Sequence, residues 1–401
     1  MKIAGIAAEY NPFHNGHAHH IARTRDEEGG GATHIVAVMS GCFTQRGEPA
    51  MLPETDRVRM ALAGGADLVI GLPLPWALAS AEGFAFGMVS ALDALGCVDM
   101  ISFGSESGDI ATLQKAADCL STDRFAQLLR YHLDYGISFP EARQRAVQEI
   151  AGTRTAELFS SPNNTLGIEY LKALRRLASP MTPYTIPRFG AGHDEAYPLG
   201  DTASASYIRT LAQAGRLLSA APFLPAASME ILAAAAAKGH CPADTRLLER
   251  AVLAKLRQMS REELAALPGI SEGLENRLYE AISTAGTLEE LETKVKTKRY
   301  PLTRIRRLIW SAFLDVPAGW EIRTPPYLRV LGMNERGREI LSAAKSAKAP
   351  LITRVSQRSL LSEEGQALYA LEARAADLYA LALPAPLPCG TLYTDGLVRM
   401  D

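Results

Sequence analysis

The 401-residue sequence contains few cysteines, no long hydrophobic run and no excess of either charge. Its five cysteines are scattered and include no Cys-x-x-Cys pair, which argues against a disulfide framework and a structural zinc site. Lysine and arginine total 42 against 44 acidic residues, so the net charge of −2 gives no overall attraction to nucleic acid. A nucleic-acid partner would therefore have to bind a local basic patch.

The hydrophobic runs are broken by glycine, proline or charge before they reach the length of a membrane span. Glu9 interrupts the apolar N-terminal run before any small-residue cleavage pattern, so no signal peptide is expected. The segment Gly-x-x-x-x-Gly-Lys-Ser/Thr is absent, which excludes a P-loop nucleotide site. We therefore expect a cytoplasmic protein that binds neither a membrane nor DNA.

The first half of the sequence alternates between strand-like and helix-like segments. Strands are predicted at residues 3–8, 33–39, 66–72, 98–103 and 184–187, and helices at residues 17–26, 55–63 and 87–95 and over much of 110–178. This alternation predicts parallel strands with crossover helices, which is an α/β fold with an open, doubly wound parallel sheet. Ligands bind such sheets at the carboxyl ends of the strands, where the strand order reverses.

After about Ala214 the alternation stops and helical patterns dominate. Helices are predicted at residues 233–237, 246–258, 260–267, 274–285 and 303–314, with a shorter α/β patch near 327–332 and 351–355. We therefore predict a sheet domain over residues 1–213 and a mainly α-helical C-terminal domain over residues 214–401.

The most informative segment follows the first predicted strand and reads Ala8-Glu9-Tyr10-Asn11-Pro12-Phe13-His14-Asn15-Gly16-His17. It indicates a turn followed by a helix that begins at two histidines. A helix N-terminus offers unpaired N–H groups and a partial positive charge, which favour an anion. His14 and His17 are three residues apart, so both rings can face one phosphate. The segment predicts a nucleotide site, with His19 and His20 as either further contacts or a solvated helix face.

Other loops are expected to reach the same crevice. Gly104 follows the fourth predicted strand, where it allows either close approach of a nucleotide or a simple turn. Asn163 either caps a helix or contacts the nucleotide. Arg188 and Arg209 are candidate phosphate ligands because a guanidinium can hold phosphate through two hydrogen bonds; the alternative for each is a surface salt bridge.

A basic run in the second half of the chain predicts an RNA-binding surface. Residues 294–310 contain seven cations, no carboxylate and two aromatic residues, Tyr300 and Trp310. Cations suit a phosphate backbone, and exposed aromatic rings can stack on unpaired bases. The candidate RNA contacts are Arg46 beside the crevice and Lys296, Lys298, Arg299, Arg304, Arg306 and Arg307 in the run.

These motifs resemble those of the histidine-containing nucleotidyltransferase superfamily, which shares its sheet and its His-x-Gly-His motif with class I aminoacyl-tRNA synthetases. Residues 202–209, Thr-Ala-Ser-Ala-Ser-Tyr-Ile-Arg, are similar to a second motif of that superfamily, with Ala205 where serine is preferred. Residues 38–50, 103–106, 161–170 and 298–300 resemble the bacterial tRNA(Met) cytidine acetate ligase family, with Cys42 where asparagine is more usual.

The resemblance implies a two-step reaction. Acetate attacks the α-phosphate of ATP to give acetyl-adenylate and pyrophosphate, and the acetyl group then passes to N4 of the wobble cytidine of elongator tRNA(Met). His14 and His17 are expected to be catalytic. The residues expected to bind ATP are Ala7, Ala8, Glu9, Tyr10, Asn11, Pro12, Phe13, His14, Asn15, Gly16, His17, Ala18, His19, His20, Gly104, Asn163, Arg188, Ser204 and Arg209.

Two other functions remain open at this point. One is a small-molecule adenylyltransferase of cofactor biosynthesis, and the other is a non-catalytic, nucleotide-binding RNA assembly factor. The long helical half with its basic run favours the RNA-modifying ligase over the first. Mg²⁺ bridging the phosphates of ATP is chemically reasonable, although no carboxylate cluster predicts a metal site and no metal ligand is assigned.

Overall fold

The computed structural model describes residues 1–188, 198 and 200–400. Its β-strands are β1 (Ile3–Ala8), β2 (His34–Ser40), β3 (Phe43–Thr44), β4 (Glu48–Pro49), β5 (Leu68–Leu72), β6 (Met100–Ser105), β7 (Thr182–Pro187), β8 (Leu328–Met333), β9 (Leu351–Ile352) and β10 (Val398–Arg399). β3 and β4 form a small antiparallel hairpin, and the others form one large sheet.

The helices of the sheet-forming half are α1 (Asn15–Arg25), α2 (Glu54–Ala63), α3 (Leu74–Ala77), α4 (Ala81–Ala94), α5 (Ile110–Leu120), α6 (Asp123–Asp134), α7 (Phe139–Ala151), α8 (Thr153–Glu157), α9 (Pro162–Arg176) and α10 (Ala205–Gln213). The later helices are α11 (Ala226–Ala237), α12 (Thr245–Gln258), α13 (Arg261–Ala265), α14 (Leu274–Thr284), α15 (Leu288–Val295), α16 (Leu302–Phe313), α17 (Glu335–Ala343), α18 (Glu363–Ala380) and α19 (Thr391–Thr394). Short 3₁₀ segments lie at Leu158–Ser160, Leu217–Phe223, Ala344–Ser346 and Val355–Leu360.

The strand order is β10-β8-β5-β2-β1-β6-β7, with β9 also paired to β8. In the described part of the chain the pairings of this sheet are parallel, apart from β5 with β8. The chain builds outward from β1 through β2 to β5, then returns to the other side of β1 to add β6 and β7. The strand order therefore reverses between β1 and β6, which is where a doubly wound sheet binds its ligand.

Both faces of the sheet are buried, as the sequence pattern predicts. Along β2, Val36 and Val38 belong to the core on one face, whereas Ile35, Ala37 and Met39 belong to the core on the other. Because successive side chains of a strand point to opposite faces, this continuous apolar run needs helices on both sides. The predicted α/β fold with a doubly wound sheet and a helix-rich later region is confirmed.

The C-terminal segment adds strands to the sheet of the first half. The α/β patch predicted near residues 327–332 and 351–355 is present as β8 and β9, but these strands and β10 extend the first sheet. The sheet is therefore completed from residues 328–399. The described residues contain no helix that is both long and apolar enough to cross a membrane.

Candidate active site

A cavity of about 520 Å³ opens beside the reversal of strand order, at the carboxyl ends of β1, β6 and β7. The β3–β4 hairpin and the first turns of α1, α9 and α10 complete its walls. Most residues predicted to bind ATP line it, namely Ala7, Ala8, Glu9, Tyr10, Asn11, His14, Gly16, His17, His19, His20, Gly104, Asn163, Arg188, Ser204 and Arg209.

His14 and His17 form the N-terminal cap of α1. The Nδ1 atom of His14 accepts a hydrogen bond from the backbone N–H of Gly16 at 3.1 Å, and Nδ1 of His17 accepts from the backbone N–H of His14 at 3.2 Å. The two rings stack with their centroids 3.7 Å apart. Because Nδ1 must carry a lone pair to accept, each neutral ring carries its proton on Nε2. Both histidines are therefore arranged as N–H donors.

Gly16 allows this stacked arrangement. A Cβ atom at residue 16 would lie 2.9 Å from Cε1 of His14, which is closer than side-chain carbons approach in practice. A side chain at this position would therefore displace the His14 ring from its stacked place, in addition to blocking the close ligand approach suggested by the sequence.

The electrostatic environment keeps His17 and His20 neutral. Burial, with smaller electrostatic contributions from His14, His20 and Arg188, lowers the pKa of His17 well below its ordinary value. Burial, followed by Arg188 and His19, lowers the pKa of His20 to about 4. His20 Nε2 also lies 2.9 Å from the hydroxyl oxygen of Ser102 on β6. A neutral imidazole can donate to a phosphate without contributing a full positive charge.

Buried polar contacts hold the turn between β1 and α1. Arg57, which is 0% exposed, donates to the carbonyl oxygen of Glu9 at 2.7 Å. The Asn11 side chain accepts from the backbone N–H of Met51 at 2.7 Å, and the Asn11 carbonyl accepts from Arg209 at 3.0 Å. These contacts fix the loop that aims both imidazoles into the cavity.

The arginine predicted from the second motif is partly engaged by protein groups. Arg209 also lies 3.0 Å from a carboxylate oxygen of Glu48 on β4. Ser204 caps α10 by accepting from the backbone N–H of Tyr207 at 3.1 Å. Arg209 therefore connects three walls of the cavity and holds the Asn11 turn.

The opposite wall is formed by Gly104, Asn163 and Arg188. Asn163 donates from its side chain to Glu106 at 2.7 Å, and the carboxylate of Glu106 also accepts from the backbone N–H of Asn164 at 2.8 Å. Glu106 thus occupies the N-terminus of α9. A Cβ atom at Gly104 would lie 3.5 Å from Cγ of Arg188, so the bare backbone leaves space beside this arginine.

Four residues predicted to contact ATP lie outside the cavity lining. Phe13 is 0% exposed in the core below the turn, and Pro12 is also buried. Asn15 donates to the carbonyl oxygens of Asp201 and Pro222 at 2.8 and 3.0 Å. Ala18 packs against the core. These four positions shape and anchor the turn, so direct contact with the nucleotide is not supported for them.

The sequence analysis missed several lining residues, notably Gln45 and Glu48 on the hairpin, Tyr170 on α9 and Ser206 on α10. The backbone N–H of Gln45 donates to a carboxylate oxygen of Glu9 at 2.7 Å. The hairpin strands are two residues long, too short for a periodic signal, so only the family-like motif of residues 38–50 could have indicated this contact.

The predicted RNA-binding residues adjoin the cavity. Arg46 and Thr303 both line it, and Arg307 on α16 donates to the carbonyl oxygen of Gln45 at 3.2 Å. A Cβ atom at Gly47 would lie only 2.5 Å from the backbone nitrogen of Arg307, so the hairpin packs directly on α16.

The basic residues of the run differ in how far protein carboxylates already occupy them. Arg306 makes two contacts of 3.0 Å with Glu292, and Arg299 and Arg304 each lie 3.6 Å from Glu272. Lys296 and Lys298 are exposed and form no ion pair within residues 1–188 and 200–400. The two lysines are therefore the most accessible cations of the run.

The prediction that aromatic residues of this run stack on RNA is wrong. Trp310 is 2% exposed and packs against Phe43 at 5.2 Å between ring centroids, while Tyr300 is 8% exposed. The hydroxyl of Tyr300 donates to the carbonyl oxygen of Glu272 at 2.7 Å. Tyr300 precedes α16, and Trp310 lies in the second half of that helix, where every residue from Leu308 to Phe313 is buried.

Comparison with known proteins agrees with this geometry. Residues 1–388 match the family model described as HIGH nucleotidyl transferase. The chain is 38% identical to the tRNA(Met) cytidine acetate ligase of Acetivibrio thermocellus, over 100% of both chains. It is 41% identical to that of Syntrophotalea carbinolica, over 96% of this chain and 95% of the relative.

Two solved structures of Thermotoga maritima TmcAL match the whole fold. The apo structure has a TM-score of 0.94 at 33% identity, and the structure bound with alpha-thio ATP has a TM-score of 0.92 at 32% identity. Each match covers 100% of both chains. The chain therefore belongs to the HIGH nucleotidyltransferase family and, within it, to the tRNA(Met) cytidine acetate ligases.

Proposed function

We propose that this protein joins acetate to ATP, forming acetyl-adenylate and pyrophosphate, and transfers the acetyl group to N4 of the wobble cytidine of elongator tRNA(Met). The observation that carries the proposal is the pair of stacked imidazoles at the start of α1, held as N–H donors in a cavity at the strand-order reversal. Full-length relatives named for this ligation, one of them bound with alpha-thio ATP, support the same reaction.

The first step is an in-line displacement at phosphorus, which requires positioning and stabilisation of charge on the phosphate oxygens. The Nε2–H groups of His14 and His17 would donate to those oxygens at the positive end of the α1 dipole. Arg188 would supply a full positive charge, and Gly104 would let the nucleotide approach the backbone. Acetate is already a carboxylate nucleophile, so this step needs no general base.

A metal ion would have to arrive with the nucleotide. Within the described ranges no group of three or more His, Cys, Asp and Glu side chains is arranged to hold a metal. Mg²⁺ commonly binds through substrate phosphates and water with one or two carboxylates. We propose that any Mg²⁺ enters as MgATP, held by the phosphates and water.

The tRNA would approach from the side of α16. Lys296 and Lys298 would contact its phosphate backbone, and the neighbouring predicted cations Arg299, Arg304, Arg306 and Arg307 would extend that surface toward Arg46 at the cavity. Contact between the hairpin and α16 means that RNA bound to the basic run lies next to the adenylate site. A cytoplasmic location, where tRNA and ATP occur together, also suits a protein whose five cysteines are all unpaired.

The proposal is tested by incubating the protein with ATP, isotopically labelled acetate and unmodified elongator tRNA(Met), then analysing the nucleosides by mass spectrometry. We expect labelled N4-acetylcytidine, with AMP and pyrophosphate formed in step with it. An acceptor other than tRNA would indicate the small-molecule adenylyltransferase. Nucleotide binding without pyrophosphate release would indicate the non-catalytic assembly factor, and either result would overturn the proposal.

A further inference from the structure

The second step of the proposed reaction requires a base that the phosphate-binding groups do not provide. When the exocyclic amine of cytidine attacks the acetyl carbonyl, a C–N bond forms, the bond to AMP breaks and the amine must lose one proton. The amine is a weak nucleophile because its lone pair is delocalised into the ring. A positioned acceptor for that proton contributes ~10²–10⁴-fold to such reactions.

We propose that Glu9 is the general base of acetyl transfer, taking the proton from N4 of cytidine as the amide forms and AMP leaves. This inference rests on the proposed function and assigns a role within it. Glu9 follows β1 directly and lines the cavity. One of its carboxylate oxygens, Oε1, is held by the backbone N–H of Gln45 at 2.7 Å. Its other oxygen, Oε2, has no hydrogen-bond partner among residues 1–188 and 200–400 and is not sealed from the cavity.

The other candidate bases are occupied or ill suited. His14 and His17 use Nδ1 to accept backbone hydrogen bonds and carry protons on Nε2, so neither neutral ring can accept another proton at the cavity. His20 binds Ser102 and is a weak base, because burial lowers its pKa to about 4. Glu48 is neutralised by Arg209 at 3.0 Å.

The two tyrosines of the lining are also excluded on physical grounds. Burial raises the pKa values of Tyr10 and Tyr170, so both hydroxyls stay protonated at neutral pH. His19 is exposed at the edge of the cavity. Of the two carboxylates that line the cavity, Glu9 is the one that forms no ion pair within residues 1–188 and 200–400.

Glu9 also lies on the side from which RNA would arrive. The backbone N–H of Gln45 donates to Glu9, and the backbone carbonyl of Gln45 accepts from Arg307 of α16 at 3.2 Å. One residue of the hairpin therefore connects the carboxylate to the basic helix. A cytidine delivered along that helix would meet the Glu9 side of the cavity.

Burial makes the Glu9 carboxylate a stronger base. Burial raises the pKa of Glu9, with a further increase from Glu48, while the Gln45 hydrogen bond and the charges of Arg209 and Arg46 act in the opposite direction. Tyr170 on α9 also faces this carboxylate. A carboxylate with a raised pKa is a stronger base than a solvated one, and it stays ionised above that pKa.

The test separates the two steps with Glu9→Gln, because the glutamine amide oxygen can still accept from Gln45 while the base is removed. Acetyl transfer from chemically prepared acetyl-adenylate to tRNA is followed in single-turnover rapid-quench assays. Acetate-dependent ATP–pyrophosphate exchange reports the first step. We expect transfer to fall ~10²-fold or more. Because Glu9 also lines the ATP cavity, exchange serves as the reference: transfer should fall at least about tenfold more than exchange, and the rise of transfer rate with pH expected of the wild type should be lost.

Glu28→Gln makes the same chemical change at an exposed site and controls for loss of one negative charge. Transfer by Glu9→Gln within about threefold of wild type would overturn the assignment, as would an equal loss of both steps or an unchanged pH profile. If the wild-type protein itself transfers no acetyl group to tRNA, the proposed function fails instead, so the two failures are distinguishable.

Discussion

The donor arrangement of His14 and His17 arises from backbone contacts that the residue pattern itself encodes. A histidine at the N-cap and another three residues later reproduce a capping box, in which side chain and backbone satisfy each other. The spacing that suggests a shared phosphate thus also fixes the tautomer of each ring. Sequence could predict both positions because the contacts span only three residues. It could not predict Gln45 as the partner of Glu9, because that contact joins loops 36 residues apart.

Neutral, partly buried imidazoles should make the fold less stable in mild acid. The pKa of His20 is about 4 against an ordinary value of 6.5, so between these values the unfolded chain binds a proton that the folded chain does not. The unfolding free energy therefore falls as pH decreases through this window, by on the order of 1–2 kcal/mol at pH 5 for this residue.

We expect His20→Gln, whose amide can still bind Ser102, to lose less stability than wild type between pH 7 and pH 5. Urea unfolding at both pH values measures the difference. The variant should retain some pH dependence because His17 also titrates below its ordinary range. An identical loss in both proteins would contradict the assignment of a lowered pKa to His20.

At the scale of elements, the basic run covers the end of α15, the turn at residues 296–301 and most of α16. α16 buries Ile305 and every residue from Leu308 to Phe313, while its arginines lie in the less buried first half of the helix. The sequence predicted the helix and the cations correctly but assigned the aromatic residues to RNA. Trp310 follows Arg306 by four residues and Arg307 by three, so spacing places it on their face of the helix, and its burial against Phe43 is a tertiary contact that spacing could not predict.

We expect neutralisation of both exposed lysines, Lys296→Gln with Lys298→Gln, to weaken tRNA binding by removing phosphate contacts. The slope of log affinity against log salt should decrease by about 1.4–1.8, since each phosphate contact contributes about 0.7–0.9. Filter binding across a salt series measures this slope. ATP–pyrophosphate exchange without tRNA should be unaffected.

The matched control is Lys238→Gln with Lys345→Gln, which removes two exposed lysines elsewhere on the chain. It should leave the salt slope unchanged. A similar decrease in both double variants would mean that general charge, and not the basic run, attracts the tRNA.

At the scale of the whole molecule, the sheet is completed by the end of the chain. Arg329 on β8 donates to both carboxylate oxygens of Glu54 on α2, at 2.8 and 2.7 Å, and lies 3.9 Å from Glu372 on α18. This buried cluster joins the C-terminal segment to the sheet domain. Sequence could not predict the return, because β9 and β10 are two residues long and β8 pairs antiparallel with β5. The boundary at residue 213 stays a prediction.

We expect Arg329→Met to lower the unfolding free energy by about 3–5 kcal/mol, because it leaves two buried carboxylates without their cation. Arg323→Met is the control, since Arg323 pairs with Glu364 where both side chains are more than half exposed. Such exposed pairs contribute about 0–1 kcal/mol. Equal losses in urea unfolding would show that the Arg329 cluster does not anchor the segment.

The central claim is that the Nε2–H groups of His14 and His17 stabilise the triphosphate during adenylation. The most direct test is acetate-dependent ATP–pyrophosphate exchange by the double variant His14→Asn with His17→Asn. Asparagine can still cap α1 through its side-chain oxygen but cannot extend a donor to the Nε2 position. Removing one such donor typically costs ~10²–10³ in rate. We predict that exchange falls at least that far while tRNA affinity stays within about twofold; exchange within a few-fold of wild type would contradict the account.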